Sequence, residues 1–290
     1  METWAFDYGE TALILRRLPV NAAQDASIQS MGEVSIETEA AVIGLVGRHG
    51  VTVPRVVCVL PAEAGLGRGF IMTRVEGETI AKRIQSKPEF AEARAGFVTD
   101  CASELAAIHA IPIEGVLRSL PVLEAGDAVA TLRAEFGDNG YQSPILYLAI
   151  AWLERNIPGP PDCPCLVHGD FRLGNLVVDG TGLKAVLDWE TVHLGDPVQD
   201  LAYICTPNWR FTGYDKPVGG LGEIEPFLAR YSEYGRQAVE PDRFRFWLIY
   251  SALWWAGVCL KMSGYWRSGY DRSLERAVIG RRVTEAELDL

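Results

Sequence analysis

The sequence predicts an α+β chain of two unequal lobes, a small sheet with one helix followed by a larger, mainly helical part. Three observations predict it. Short apolar segments separated by glycine turns fill the chain as far as Val75. A strongly helical texture sets in after Glu76-Gly77. Within that helical part, one polar segment, "LVHGDFRLGNLVVDG" (Leu166 to Gly180), lies between two strand-like apolar runs.

The elements follow in order. "TWAFDY" and "ALILRRL" flank Gly9-Glu10, which reads as a hairpin. "SIETEAAVIGLVGRHG" reads as a helix with Val42, Leu45 and Val46 as its apolar stripe and Gly50 as its stop. "PRVVCVL" and "GFIMTRV" read as two further strands joined by "EAGLGRG". The glycines at 65, 67 and 69 open no helix, so they predict a turn rather than a nucleotide loop. "PEFAEARAGFVTDCASELAAIHAI" predicts a long helix with Phe97, Cys101, Leu105 and Ile108 on one face. Helices are expected near 122–136 and 144–156, and from about Pro197 onward. The boundary between lobes is expected at "TRVEGE", giving residues 1–77 and 78–290, with a ligand cleft between them.

Composition narrows the function classes. The chain has 290 residues, 48% hydrophobic and 22% charged, which suits a globular protein with ample core. Its net charge of −11, from 27 basic and 38 acidic residues, argues against nucleic acid or an anionic membrane as partner. The longest apolar run, Phe246 to Leu260, is shorter than the ~20 residues a bilayer needs. The opening "METWAFDYGE" lacks a signal peptide's apolar core. The six cysteines are scattered, and Cys163-Pro164-Cys165 has no second pair to complete a zinc site. Reduced thiols in a cytoplasmic protein are expected.

The polar segment carries the chemistry. A second hairpin turns at Asp179-Gly180-Thr181-Gly182, and its return strand delivers Asp188. Hairpin ends lie close together, so Asn175 and Asp188 should converge, with Asp170 just upstream. Oxygen-bearing side chains so placed suit Mg²⁺, which shares its ligand shell with phosphates and water.

This arrangement resembles the active site of the protein-kinase-like superfamily, whose catalytic loop reads H-R-D-x-x-x-x-N. Here it stands as His168-Gly169-Asp170-Phe171-Arg172-Leu173-Gly174-Asn175, with Gly in place of Arg after the His. Asp188-Trp189-Glu190 is similar to the superfamily's metal-binding D-F-G. Together with Gly195-Asp196-Pro197-Val198-Gln199-Asp200-Leu201-Ala202, these motifs resemble the aminoglycoside phosphotransferase family, and within it the branch of acyl-CoA-dehydrogenase-associated phosphotransferases. The resemblance implies a bilobal kinase-like fold and ATP- and Mg²⁺-dependent phosphorylation of a small-molecule hydroxyl. It implies Asp170 as the base, Arg172 on the γ-phosphate, Asn175 and Asp188 on the metal, and Arg16 on the inner phosphates, ion-paired to Glu39. It places adenine against the backbone of Thr73, Arg74 and Val75.

Plainer roles stand beside these. His168 is expected to orient the loop, and Asp196 and Asp200 to bond loop backbone. A second metal role for Glu190 is left even with a surface one. His49 and His193 read as ordinary surface or loop residues, and Arg17, facing away from Arg16, as solvated. Trp247, Tyr250 and Trp254 read as a core stripe, with Trp254, Trp255 and Tyr265 as weak candidates for an acceptor site. Two other functions remain open, a non-catalytic pseudokinase and an aminoglycoside-resistance kinase. The latter needs an acidic pocket that Asp215, Glu223, Glu225 and Glu233 could line. The kinase pattern also has a glycine-rich loop ahead of the strand bearing the basic residue. No such loop precedes Ala12 to Leu18, so the expectation is that the start is internal to a longer protein and that ATP binds poorly.

Overall fold

The computed structural model describes residues 1–18, 33–235 and 238–290. β1 (Glu2–Tyr8) and β2 (Thr11–Leu18) form the first hairpin, with Gly9 at φ +61°, the left-handed conformation that a two-residue turn requires. β3 (Val56–Val59) and β4 (Arg68–Thr73) complete an antiparallel sheet in the order β1-β2-β4-β3. Gly69 sits opposite Arg17 in that sheet, and a Cβ there would fall 2.4 Å from the Arg16 carbonyl oxygen, so only glycine lets the two strands approach. The glycine-rich segment is a turn containing one short 3₁₀ stretch, Ala62–Ala64.

α1 (Ile36–Arg48) packs across this sheet. Ser35 caps it by accepting from the Thr38 amide at 3.1 Å, a contact worth ~1 kcal/mol. The expected stripe is buried, and Glu39, on the face turned to the cleft, is 1% exposed.

The second part is mainly helical. α2 (Ala81–Ser86) leads into α3 (Ala91–His109), which carries Phe97, Cys101, Leu105 and Ile108 in the core. α4 (Ala125–Asn139) and α5 (Pro144–Arg155) follow, the former starting three residues later than the sequence suggests because Pro121 and Val122 run alongside Leu194. β5 (Cys165–Val167), β6 (Leu176–Val178), β7 (Leu183–Val186) and β8 (His193–Gly195) make two small ladders, β5-β8 and β6-β7. Helices α6 (Val198–Tyr203), α7 (Ile224–Glu233), α8 (Pro241–Ser268), α9 (Leu274–Ile279) and α10 (Val283–Asp289) complete the chain. α8 is the central pillar, with α4, α5, α6, α9 and α10 against it. Its apolar run is therefore core, and no described helix is long and apolar enough to cross a membrane.

The sheet is tied to the β6-β7 hairpin by backbone bonds. Glu78 and Val178 exchange amide bonds at 2.8 and 3.0 Å, and the Val186 amide donates to Thr52 at 2.8 Å. A third tie, from the Val34 amide to the Glu190 carbonyl at 2.7 Å, bridges the start of α1 to the segment after β7. These ties fix the distance between Arg16 on β2 and the residues after β7.

Two expectations are corrected here. His193 is a buried strand residue, 6% exposed, because β8 pairs with β5 and its ring bonds Thr191 O and Gln199 Oε1. Arg17 is half-buried rather than solvated, because Glu2, opposite it in the hairpin, takes its guanidinium at 2.9 Å.

Candidate active site

The loop from His168 to Asn175 is held from below by Asp200. That buried carboxylate accepts from the amides of His168 (2.8 Å) and Gly169 (2.9 Å) and bonds His109 Nε2 at 3.1 Å. Burial alone would raise the Asp200 pKa, but the His109 hydrogen bond and charge and the loop amides outweigh it and hold the carboxyl below its ordinary value. Gly169 has φ +85°, and a Cβ there would lie 2.7 Å from the Thr191 carbonyl, which explains glycine in the second position of the motif. His168 Nε2 bonds the Leu187 carbonyl at 3.0 Å, and Nδ1 accepts from the Asp170 amide at 3.2 Å. Its ring stacks near Trp189, 4.6 Å between centroids, and burial lowers its pKa. Such a histidine is a neutral brace joining the loop to the end of β7.

Asp170 is presented by that brace. Its Oδ1 accepts from Arg172 Nε at 2.9 Å and its Oδ2 from Asn175 Nδ2 at 2.6 Å. Burial pushes its pKa up, against the pull of Arg172. Arg172 lies over the face of Trp209, 4.5 Å to the centroid, so its direction is set by packing as well as by charge.

At the hairpin ends the Leu187 amide donates to the Asn175 carbonyl at 2.8 Å, which places Asp188 one residue beyond that contact. Asp188 has φ +65°, a left-handed conformation rare for a non-glycine residue. The buried Trp189, with its indole N–H on Val186 O at 3.1 Å, anchors the turn that imposes it. Asn175 commits its amide nitrogen to Asp170, which leaves its oxygen as the end available to a cation.

Arg16 enters from β2. Its Nη2 bonds Asp188 Oδ1 at 2.6 Å and Glu190 Oε2 at 2.7 Å, and its Nε lies 3.2 Å from Glu39 Oε1. The contact to Glu39 is an ion pair in which the Glu39 side chain is almost fully buried. Burial works against the charged Arg16, and the three carboxylates more than offset it, raising its pKa. Burial pushes Glu39 up to about 7, and burial with the Asp188 charge pushes Glu190 up to about 8. Three carboxylates against one guanidinium is a shortage of positive charge, and every donor present is a hard oxygen. That set fits Mg²⁺. Among the described residues no three His, Cys, Asp or Glu side chains close into a ready-made metal cage, as is usual for an ion that keeps waters and phosphate oxygens.

Two cavities flank these groups. The first, about 220 Å³, lies between the sheet and the β6-β7 hairpin and is lined by Ile14, Arg16, Met72, Val75, Val177 and Asp188 among others. Its lining reaches Thr73, Arg74 and Val75, the hinge segment that leaves β4 for the helical part. At the hinge, the amides of Thr73 and Arg74 are already committed to the Arg55 and Ala12 carbonyls, at 3.0 Å each. The second, about 230 Å³, lies between α4 and α8, with Gly169, Thr191 and Trp254 in its wall. The acids weighed for a polycationic drug do not line it. Asp215 borders a depression beside Gln85 and Lys216, and Glu233 is paired with Arg230. Trp255 packs on Trp209 at 4.7 Å and Tyr265 on Tyr270 at 5.3 Å, so of the three aromatic candidates only Trp254 lines that cavity.

Sequence reasoning missed Tyr203 and Trp209. Tyr203 faces Asp170, and Trp209 carries Arg172. Tyr203 was findable, because it lies one helical turn after Asp200. Trp209 left no local signal.

A small antiparallel sheet, a helical lobe and a polar loop and acid pair between them define a two-lobed, kinase-like phosphotransferase fold. The chain belongs to the phosphotransferase enzyme family, whose pattern it matches over residues 2–247. It is 29% identical over 213 residues to acyl-CoA dehydrogenase family member 11 of Mus musculus, covering 70% of this chain and 26% of that protein. The chain thus spans about a quarter of that relative's length. A solved structure described as a putative aminoglycoside phosphotransferase from Ralstonia eutropha superposes with a TM-score of 0.74 at 22% identity, covering 99% of this chain and 90% of the other. An aminoglycoside phosphotransferase solved as a ternary complex with AMP-PNP and hygromycin B superposes at 0.61 with 17% identity, covering 99% and 89%.

Proposed function

We propose that this chain transfers the γ-phosphoryl group of ATP, as its Mg²⁺ complex, to a hydroxyl of a small molecule. The observation that carries the reading is Asp170, held by Arg172 and Asn175, close to Asp188, which borders the slot between sheet and hairpin. In this reading residues 1–77 bind the nucleotide and residues 78–290 supply catalysis and the acceptor site. Ile14, Met72, Val177 and Val186 would sandwich the adenine, and Val75 would present the hinge amide. Bound at Asn175 and Asp188, with Glu190 as a further oxygen donor, Mg²⁺ would neutralise phosphate charge. Arg16 would turn from the carboxylates to the inner phosphates, and Arg172 would meet the γ-phosphate. Asp170 would orient the acceptor hydroxyl and take its proton late, because phosphoryl transfer depends chiefly on positioning and charge.

The test is a phosphate-transfer screen with MgATP against hydroxylated metabolites, hydroxyacyl-CoA thioesters and aminoglycosides, with Asp170→Ala as control. Transfer that Asp170→Ala abolishes supports the reading. Transfer equally fast in the variant defeats it, and nucleotide binding with no transfer to any acceptor would favour a pseudokinase.

A further inference from the structure

Tyr231 lies near the end of α7, His109 is the last residue of α3, and Asp200 lies on α6. Their side chains form one buried line. Tyr231 Oη is 2.8 Å from His109 Nδ1, and His109 Nε2 is 3.1 Å from Asp200 Oδ2. Asp200 in turn accepts from the His168 and Gly169 amides at 2.8 and 2.9 Å. The His109 and Asp200 side chains are fully buried, and Tyr231 is 2% exposed. The phenol ring meets the imidazole edge-on, with 5.7 Å between centroids. A helix that follows the loop far along the chain thus reaches it through two side chains.

Proton accounting fixes the order of this line. Asp200, its pKa held down, is ionised and can only accept. His109 must therefore carry a hydrogen on Nε2. Its Nδ1 is then bare in the neutral ring and an N–H in the imidazolium. A phenol hydroxyl meets either, donating to the bare nitrogen or accepting from the N–H. A phenylalanine meets neither, and a buried ring nitrogen without a partner is costly. The imidazole could regain a partner only by turning, which takes Nε2–H away from Asp200 and loosens the carboxylate that holds the loop.

We propose that Tyr231 is a positioning residue for the catalytic loop, acting through His109 and Asp200 on the amides of His168 and Gly169 and so on the place of Asp170. Its effect on turnover rests on Asp170 being the base, and its hold on the loop does not.

Tyr231→Phe keeps the ring and removes the hydroxyl. Amide hydrogen exchange, read residue by residue by NMR on the full chain, should be ~3–10-fold faster at His168 and Gly169, the effect of losing one hydrogen bond from the line. The Val178 and Val186 amides, bonded to Glu78 and Thr52, should keep their wild-type rates. With ¹⁵N-labelled histidine, the His109 Nδ1 signal should move in the variant. Unchanged exchange at the two loop amides, equal acceleration throughout the chain, or an unmoved Nδ1 signal would each overturn the proposal. Turnover should follow the loop. MgATP hydrolysis, in which water is the acceptor, should show kcat lowered by the same factor and an unchanged KM for ATP. A raised KM with kcat unchanged would place the phenol's effect in nucleotide binding and would also overturn the proposal. If Asp170→Ala hydrolyses as fast as wild type, the functional reading fails, and the exchange rates still decide whether Tyr231 holds the loop.

Discussion

Arg16 Nη2 and Asp188 Oδ1, 172 positions apart in the chain, meet at 2.6 Å. The same nitrogen reaches Glu190, and Glu39 stands behind it, so one guanidinium is the counter-charge of an acid cluster drawn from α1 and from the segment after β7. The contact joins the small sheet to the segment after β7 in the helical part.

Arg16→Met should therefore destabilise the chain. It leaves the nearly buried Glu39 without its cation, and removing one partner of a buried ion pair costs ~3–5 kcal/mol. Urea denaturation measures it. The pair Arg16→Met with Glu39→Leu should recover a large part of the loss. If the double variant is as unstable as the sum of the singles, the two side chains are not coupled.

Stability and cation binding should respond to pH in opposite senses. Glu39 and Glu190 are pushed up to about 7 and about 8 from an ordinary 4.5, so between those values the folded chain holds protons that the unfolded chain has lost. The stability they contribute is complete below their unfolded pKa and is lost as pH rises through the folded values, whereas Mg²⁺, which needs ionised carboxylates, should bind more tightly over that same range. Thermal melts in chelator from about pH 5 to about pH 8.5 should show a falling Tm, and Glu190→Gln should flatten the slope. A slope identical in the variant would remove Glu190 from this account.

We predict that Asp170→Ala lowers turnover ~10²–10⁴-fold, the usual contribution of a general base, while ATP affinity changes little. The residue lies on the loop and not in the slot between sheet and hairpin. Steady-state kinetics on an acceptor found by screening, with calorimetry for ATP, separates the two effects. A large loss of ATP affinity would point to misfolding of the loop instead.

Asp188→Asn should weaken nucleotide binding only when Mg²⁺ is present, because the amide keeps the shape and loses the charge that balances the ion. Calorimetric titrations of ATP with Mg²⁺ and with chelator give four affinities. Equal values with and without the metal, in both proteins, would refute a metal site here.

Asp200→Asn should lower both stability and turnover while sparing ATP binding. The carboxylate serves the His168 and Gly169 amides and His109, and hydrogen bonds to a charged group contribute ~1.5–3 kcal/mol each. Denaturation together with kinetics tests it, and a variant with normal stability would show that the loop is held by His168 and Trp189 alone.

Much of this architecture can be read from local pattern. Gly9-Glu10 and Asp179 to Gly182 mark the hairpins because two-residue and glycine-containing turns need residues that tolerate positive φ. Phe97 to Ile108 mark one face of α3 because helical periodicity is a property of neighbours in sequence. The positions of Asp170, Asn175 and Asp188 are likewise local, since a short loop and one hairpin determine where they lie relative to one another. The pairing of β8 with β5 was not legible, because a three-residue strand whose own members include a His and a Gly carries too little pattern, and His193 was misjudged with it.

By itself, then, the sequence determined the two-lobed class, the order of the elements and the set of oxygen-bearing side chains on one loop and hairpin. Only the tertiary structure decided that Glu190 shares Arg16 with Asp188, that Trp209 directs Arg172, and that Tyr203 lies against Asp170. The physical reason is range. Turn chemistry and periodicity act over a few residues and leave their mark in composition. Burial, ion pairing and ring packing act between segments far apart in the chain, and a charge or an aromatic has the same appearance in the sequence whether it meets solvent or the base of an active site.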